Sequence, residues 1–273
     1  MKRNIFLFVS CILSLSFLTF SCSDDDNDGI FPGGTSAKLL PTVIKGEKGI
    51  FESYYQYDSR NRLISKKDVW PRDGKRSSTY EVSYDTEGRI SKMVQTDSKY
   101  TADSRILTYV YDGSKVTVQS DNPAQADFIV EIDDQGKVLK FQSAPNEGSS
   151  SYSENYDYDT NGNIKGIQKS GRKYRSYTYD NKNGIFKHIN MPQWFIVTQL
   201  NELYMFNNNI TEEIVSDSSQ EKAELRGIVD EGYKITYVYN ENGYPRRYNH
   251  PYVTDIMDME GEDNYNIEYK EAD

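Results

Sequence analysis

Residues 156–164 read YDYDTNGNI, and this stretch predicts a β-hairpin. Its two tyrosines lie on one face of a strand, because side chains alternate along a strand with a period of two. Asp159 opens the turn, since its carboxylate accepts hydrogen bonds from backbone N–H groups two residues on. Gly162 stands where a type I turn closed by a G1 bulge requires positive φ. Ile164 then begins the returning strand.

The hairpin is an internal repeat, because six further variants of it occur in the chain. Their first strands begin at Tyr55, Val82, Tyr109, Val130, Tyr177 and Tyr237. The third copy, Tyr109–Val116, lacks one loop residue. Seven copies predict an all-β fold, an antiparallel up-and-down meander of about 14 strands. Such a meander must protect its edges, and closure into a β-barrel does so. A curved open sheet wrapped around a helix is the alternative.

A longer segment between the sixth and seventh copies has helical periodicity. Ile196 and Leu200 fall on one helical face, and Asn190 is a suitable N-cap residue. We therefore predict one inserted helix at about residues 190–206, which lies inside the barrel or caps one end of it.

The N-terminus has the three parts of a secretory signal. Lys2 and Arg3 precede an apolar, serine-containing run at residues 5–20, and Cys22 follows. The run is shorter than the roughly 20 apolar residues of a transmembrane helix. An uncleaved anchor helix is the alternative. Cys11 is a second candidate for modification, but too few apolar residues precede it.

The segment around Cys22 resembles the lipobox of bacterial lipoproteins, in which the cysteine receives a diacylglyceryl group before cleavage. This resemblance implies a signal peptide at residues 1–21 and a membrane partner reached through a lipid on Cys22. Residues 23–29, SDDDNDG, resemble the surface-export signal of Bacteroidetes lipoproteins. We therefore expect an outer-membrane lipoprotein exposed on the cell surface. Residues 22–37 would form a flexible acidic tether, and residues 38–273 the barrel domain.

The hairpins resemble the YD repeats of Rhs and teneurin-type proteins. A likeness that covers nearly the whole chain after Cys22 is to Bacteroidetes lipoproteins with a YD-repeat domain of unknown function and a porin-like fold. It rests on the repeats, residues 179–187 and residues 207–212. This resemblance implies a β-barrel and gives no activity. Both faces of residues 172–179 carry charge, whereas a membrane barrel needs an apolar outer band. We therefore expect a tethered barrel rather than an integral pore.

Composition argues against several classes of function. The formal charge of −10 repels phosphate backbones, so nucleic acid is not an expected partner. Both cysteines precede the barrel, which leaves it without disulfides. Only His188 and His250 are available for zinc sites or catalytic triads, and both are predicted to be surface residues. The sequence contains no P-loop, GxGxxG, GxSxG or HExxH motif. We therefore expect no enzymatic activity, no cofactor and no metal.

Three function classes stay open, and the sequence names no ligand-binding or catalytic residue. The first is a non-enzymatic binding or interaction module with a glycan or protein partner. The second is a glycan-binding accessory protein whose exposed aromatics stack on sugars. The third is a hydrolase, which needs two carboxylates facing each other. Trp70 is the predicted exposed aromatic, and Trp194 is predicted to pack its helix. Most tyrosines fit a half-buried pleated surface without any binding role.

Overall fold

Each hairpin turn is organised by the aspartate or asparagine that follows the first strand. In the first copy, Asp58 Oδ1 accepts hydrogen bonds from the backbone N–H groups of Arg60 at 2.9 Å and of Arg62 at 3.0 Å. The Asp58 N–H donates to the Arg62 carbonyl at 3.0 Å. The same bonds recur at the turns opened by Asp85, Asp133, Asp159 and Asn240.

The predicted positive φ is found three positions after each of these residues. The angle is 60° at Asn61 and 80° at Gly162, and the other three turns have glycine in this position. A β-branched residue would be strained in this conformation, which explains why the repeat uses only glycine or asparagine here. The turn chemistry predicted from the sequence is therefore confirmed.

The structure, a computed structural model, describes residues 37–122, 127–143, 152–169, 172–200, 207–215, 231–254 and 259–273. The strands in these ranges are β1 (Leu39–Gly46), β2 (Glu52–Tyr57), β3 (Leu63–Trp70), β4 (Arg76–Tyr84), β5 (Ile90–Asp97), β6 (Arg105–Asp112), β7 (Lys115–Ser120), β8 (Phe128–Ile132), β9 (Val138–Ser143), β10 (Ser153–Tyr158), β11 (Ile164–Lys169), β12 (Arg172–Tyr179), β13 (Ile210–Val215), β14 (Glu231–Lys234), β15 (Thr236–Tyr239), β16 (Pro245–Thr254) and β17 (Met259–Glu271). The helices are a 3₁₀ turn (Thr101–Asp103) and α1 (Gln193–Thr198).

The strands form one antiparallel sheet in which neighbours in sequence are neighbours in space. β14 and β15 are separated only by Ile235, whose N–H continues the pairing to the Thr211 carbonyl at 3.0 Å. β1 pairs with both β2 and β17, so the ladder returns to its starting strand. The predicted all-β antiparallel meander is therefore confirmed, in the form of a nearly closed barrel.

The predicted number of about 14 strands is wrong, because the described part of the chain contains 17. Six of the seven copies supply two strands each, whereas the continuous sequence of the sixth supplies only β12. Of the remaining strands, β13 is the return of the sixth hairpin across an insertion, and β1, β14 and β17 lie outside the repeated unit.

The second tyrosine of a unit connects one hairpin to the hairpin before it. Tyr84 Oη donates to the Leu63 carbonyl at 2.7 Å, and Tyr111 Oη donates to the Ile90 carbonyl at 2.9 Å. Tyr158 and Tyr179 make equivalent bonds at 2.7 Å. The acceptor residue begins the returning strand, and its side chain is fully buried. These tyrosines therefore have a packing role, because each satisfies a carbonyl of the neighbouring hairpin.

The sixth hairpin is interrupted by an insertion, residues 181–208. Asp180 Oδ1 accepts the N–H of Asn209 at 3.0 Å, and the Asp180 N–H donates to the Asn209 carbonyl at 3.0 Å. Asn209 therefore takes the place that Arg62 has in the first turn, and Ile210 begins the returning strand, β13. By analogy with Ile164 of the fifth copy, the sequence of the sixth copy predicts that Ile185 begins this strand. That prediction is wrong, because Ile185 is buried within the insertion.

The helix of the insertion is shorter than predicted. α1 begins at Gln193 after Pro192, which is its N-cap residue, and ends at Thr198, while residues 201–206 lie outside the described residues. Asn190 does not cap the helix, because its side-chain amide donates to the Arg60 carbonyl of the first turn at 3.0 Å. The Asn190 side chain is therefore bonded to the first hairpin turn and does not make the predicted N-cap bond to the helix.

The insertion packs into the barrel at the end formed by the hairpin turns. We call this end the turn rim and define it by the turns opened by Asp58, Asp85, Asp112, Asp133, Asp159 and Asn240. The rings of Trp194 and Phe195 both lie 5.6 Å from the Tyr109 ring, edge to face. The backbone N–H of Trp194 donates to the Gly136 carbonyl at 3.0 Å, and Lys66 Nζ donates to the Leu200 carbonyl at 3.4 Å. The core therefore includes residues of both the barrel wall and α1.

Candidate functional site

The candidate site is a cleft of about 450 Å³ in the turn rim, which we call the rim cleft. It lies between the first two hairpin turns and the insertion. Its side walls and floor are formed by Arg60, Arg62, Tyr84, Glu87, Gly88, Gln135 and residues 189–192.

The rim cleft is associated with the shortened third copy of the repeat. Between β6 and β7 the turn has only Gly113 and Ser114, and Tyr111 pairs directly with Val116 without a register shift. The full-length turns have one more residue and a register shift. By strand order this short turn lies between the second and fourth turns. Both of those turns line the rim cleft, whereas the described residues of the third do not.

Two of the three arginines near the rim cleft are held in ion pairs. Arg62 Nη2 lies 2.6 Å from Asp58 Oδ2, and the Arg62 guanidinium stacks 4.1 Å from the centre of the Tyr84 ring. Burial raises the pKa of the Asp58 carboxyl, but hydrogen bonds from Arg62 and Arg60 outweigh that effect and lower it overall. Arg89 pairs in the same way with Asp85, at 2.8 Å.

Arg60 is the third arginine, and it contributes positive charge to the rim cleft. Its side chain is exposed, and it takes part in none of the ion pairs within the described residues. Glu87, the acidic residue of the lining, is committed to Arg89 at 3.0 Å. Arg60, Arg62 and Arg89 are balanced in number by Asp58, Asp85 and Glu87, and Arg60 is the arginine of this group that takes part in none of these ion pairs.

A second cavity of about 470 Å³ lies along β10 to β13. Gly166 belongs to its lining, and a Cβ added there would come within 3.2 Å of the Arg175 carbonyl. Asp157, Lys165 and Glu212 also line it. Opposite charges are mixed here, so this groove has no clear preference for the charge of a ligand.

The aromatic residues form no exposed platform at the predicted position. Trp70 is half-buried, with its ring 5.7 Å from that of Phe51 and 4.8 Å from the guanidinium of Arg76. The same guanidinium lies 4.5 Å from the exposed ring of Tyr100. Trp194 is buried in the helix packing, as predicted.

Two tyrosines of the wall are nearly parallel. The rings of Tyr248 and Tyr265 lie 4.9 Å apart at an angle of 14°, and both are partly buried against the core. They occupy neighbouring strands and pair directly across the ladder. Their contact fits the cross-strand packing that explains tyrosine in a sheet.

The buried carboxylate of Asp68 is bound to a cation and a hydroxyl of the wall. Asp68 contacts Lys66 Nζ and Ser53 Oγ at 2.9 and 2.5 Å, and all three side chains are buried. The described residues contain no group of three histidine, cysteine or acidic side chains that could hold a metal ion.

Of the two histidines and the lipidation candidate, only His188 has a described side chain. His188 is half-buried with its ring 6.1 Å from that of Tyr244, and burial lowers its pKa, as do Lys187 and Lys38. The side chain of His250 and the whole of the N-terminal segment with Cys22 lie outside the described residues.

Comparisons with known proteins find a likeness in structure only. No protein-family model matches the chain, and no curated protein matches it. A porin-like protein from Bacteroides uniformis is similar with a TM-score of 0.39 and 13% identity, over 84% of this chain and 98% of that one. A porin-like protein from Bacteroides vulgatus is similar with a TM-score of 0.38 and 12% identity, over 85% of this chain and 99% of that one.

The helices in the described residues are few and short. None of them is long and apolar enough to cross a membrane.

Proposed function

We propose that this chain is an outer-membrane lipoprotein, anchored through Cys22 and exposed on the cell surface, whose barrel is a non-enzymatic binding module. The observation that carries the proposal is the insertion, which packs into the barrel at the turn rim and is held there by several turns. A barrel occupied in this way is suited to presenting its rim rather than to conducting solutes.

The attachment of the insertion supports this proposal. Asn190 donates its backbone N–H to the Asn61 carbonyl at 3.0 Å, and the Trp194 N–H reaches the Gly136 carbonyl of the fourth turn. Asn207 Nδ2 donates to the Asn161 carbonyl of the fifth turn at 2.8 Å. Bonds to three separate turns brace the insertion across the rim, so a solute would have to displace a buried apolar helix to pass.

The outer wall supports tethering rather than insertion into lipid. On β4, Glu81 is exposed and alternates with the buried Val82, and on β5 Lys92 is exposed and alternates with the buried Met93. An arginine or lysine on the lipid face of a membrane barrel costs about 2–4 kcal/mol at the bilayer midplane, and an acidic residue costs less. A lipid on Cys22 provides attachment without placing these charges in lipid.

The chemistry of the wall supports binding rather than catalysis. A hydrolase of the glycosidase type needs one carboxyl whose pKa is raised and a second, ionised carboxylate that faces it. Glu213, whose pKa is raised by burial, has Arg175 Nη1 at 3.2 Å, and the facing group is thus a cation. This arrangement is typical of a structural ion pair.

Replacing Cys22 with alanine tests the anchor. We expect the protein to move from the membrane fraction to the soluble fraction, because the residue that would carry the lipid is lost. The measurement is fractionation and immunoblotting of cells, with Cys11→Ala as the matched control that stays with the membrane. Continued sedimentation of the Cys22→Ala protein with membranes would contradict the anchoring proposal. Loss of anchoring by Cys11→Ala alone would move the site to Cys11.

A further inference from the structure

We propose that the rim cleft binds a small sugar acid and that the Arg60 guanidinium takes its carboxylate. The inference deepens the proposed function, because it rests on the barrel being a binding module and names the ligand class. It is carried by the charge, the polar side chains and the position of the cleft.

One arginine of the lining is available to an anion. Arg62 is paired with Asp58, and Arg89 with Asp85 and Glu87, whereas the exposed Arg60 takes part in none of these ion pairs. A guanidinium offers two parallel N–H groups that match the two oxygens of a carboxylate. The charged groups around the cleft balance, whereas the chain as a whole carries −10, so an anionic ligand would meet less repulsion here than over most of the surface.

The other polar side chains favour hydroxyl groups on the ligand. The exposed side-chain amides of Gln135 and Asn190 line the cleft, and Asn190 keeps its Oδ1 for a ligand, since its Nδ2 donates to the Arg60 carbonyl. Amides and carboxylates both bond well to hydroxyls, which donate and accept hydrogen bonds. An apolar acid would cover these groups without replacing their bonds to water, which is unfavourable. Half-buried Ile189, Met191 and Pro192 provide apolar contact for the C–H face of a sugar ring.

The cleft is preformed and of suitable size. Its volume of about 450 Å³ lies in the range of small-molecule sites, roughly 300–1,000 Å³. The first turn, which carries Arg60, is fixed by the Asp58 hydrogen bonds and by Asn190 of the insertion. A ligand would therefore meet side chains held by an ordered backbone, which lowers the cost of binding.

Titration calorimetry with digalacturonic acid tests the inference on the full-length protein purified in detergent. We expect saturable binding that weakens at high salt, because an ion pair between exposed groups is screened.

The Arg60→Gln variant should bind about 10- to 100-fold more weakly than the parent. The Arg60→Lys variant keeps the charge but loses the two parallel N–H donors of the guanidinium, so its affinity should lie between those of Arg60→Gln and the parent. Arg246→Gln is the matched control at an exposed arginine outside the cleft, and it should bind like the parent.

Two further ligands and one loop variant separate the alternatives. The carboxyl-reduced, neutral disaccharide and acetate should both bind much more weakly than digalacturonic acid. The loop variant replaces Gly113-Ser114 of the third turn with Thr-Glu-Gly, the sequence of the second turn. The longer turn should narrow the cleft and weaken binding, while the temperature of thermal unfolding stays the same. Equal binding of acetate would show a general anion site and overturn the inference, as would binding insensitive to Arg60→Gln. If the protein is exposed on cells but binds none of these ligands, this inference is overturned and the proposed function stands. If the protein is not attached to the membrane, the proposed anchoring is contradicted and this inference is unaffected.

Discussion

Replacing Trp194 with alanine is expected to lower the free energy of unfolding by about 3–5 kcal/mol, the usual cost of removing a large buried aromatic side chain. Only 1% of Trp194 is exposed, and its ring contacts those of Tyr109, Tyr111 and Phe195. The lost burial and the cavity left between helix and wall both contribute. Because whole proteins are stable by about 5–15 kcal/mol, this one change removes a large share.

Trp70→Ala is the matched control for this experiment. Trp70 is half-buried at the opposite end of β3 from the first hairpin turn, so its loss should cost clearly less than that of Trp194. Denaturant titration followed by circular dichroism measures both variants. If Trp194→Ala were no more destabilising than Trp70→Ala, the insertion would not be part of the core as described.

Replacing Asp97 with alanine is expected to cost about 3 kcal/mol, since it leaves an arginine without its partner. Asp97 Oδ2 accepts hydrogen bonds from Arg76 Nε at 2.9 Å, Arg76 Nη2 at 2.7 Å and Ser78 Oγ at 2.7 Å. Its Oδ1 accepts the N–H groups of Lys99 and Tyr100 at 2.9 and 2.8 Å. One carboxylate thus holds two strand ends and the loop between β5 and β6.

Asp103→Ala is the control for this experiment. The exposed Asp103 also reaches Arg76, at 4.0 Å, and its replacement should lower the free energy of unfolding by less than about 1 kcal/mol.

Asp97 also makes the stability depend on pH. Burial by itself raises the pKa of this carboxyl, but hydrogen bonds from Arg76, Tyr100, Ser78 and Lys99 outweigh it, and the pKa lies well below its usual range. A lowered pKa in the folded state gives stability that is complete above the unfolded pKa, about 4, and is lost as the pH falls further. The difference in unfolding free energy between the parent and Asp97→Ala should therefore shrink below about pH 4. A difference that stays constant from pH 7 to pH 3 would contradict this role.

The hairpins could be predicted from sequence because their determinants are local. Asp58, Gly162 and their equivalents act within five residues, and the structure has their turns as expected. β13 could not be found in this way because it returns to β12 across the insertion, and β1, β14 and β17 could not because they lack the turn signature of the repeat. In the sixth copy, Asp180 is followed by Asn183 and Gly184, which imitate a turn locally. The bonds that complete the turn come instead from Asn209, across the insertion.

The candidate site was only partly visible in the sequence. The shortened third copy, with Gly113-Ser114 in its turn, is a local signal that can be read from an alignment of the repeats. The floor of the rim cleft is not, because Ile189 and Met191 come from an insertion whose position depends on tertiary contacts. The availability of Arg60 is also hidden, since six hairpin turns have similar polar residues and only the structure shows which arginines are paired.

Disulfide formation between Lys45→Cys and Asn266→Cys tests most directly whether the repeats close into a barrel. These two exposed residues are direct partners across β1 and β17, the pair of strands that joins the ends of the sheet. Direct partners have Cβ atoms about 4.5–5.5 Å apart, close to the spacing of a disulfide. With Cys11 and Cys22 replaced by alanine, mild oxidation should link the new pair, whereas Lys45→Cys with Lys92→Cys, on the distant strand β5, should keep both thiols. Free thiols at positions 45 and 266 in the folded, oxidised protein would mean that β1 and β17 are apart and that the sheet is open.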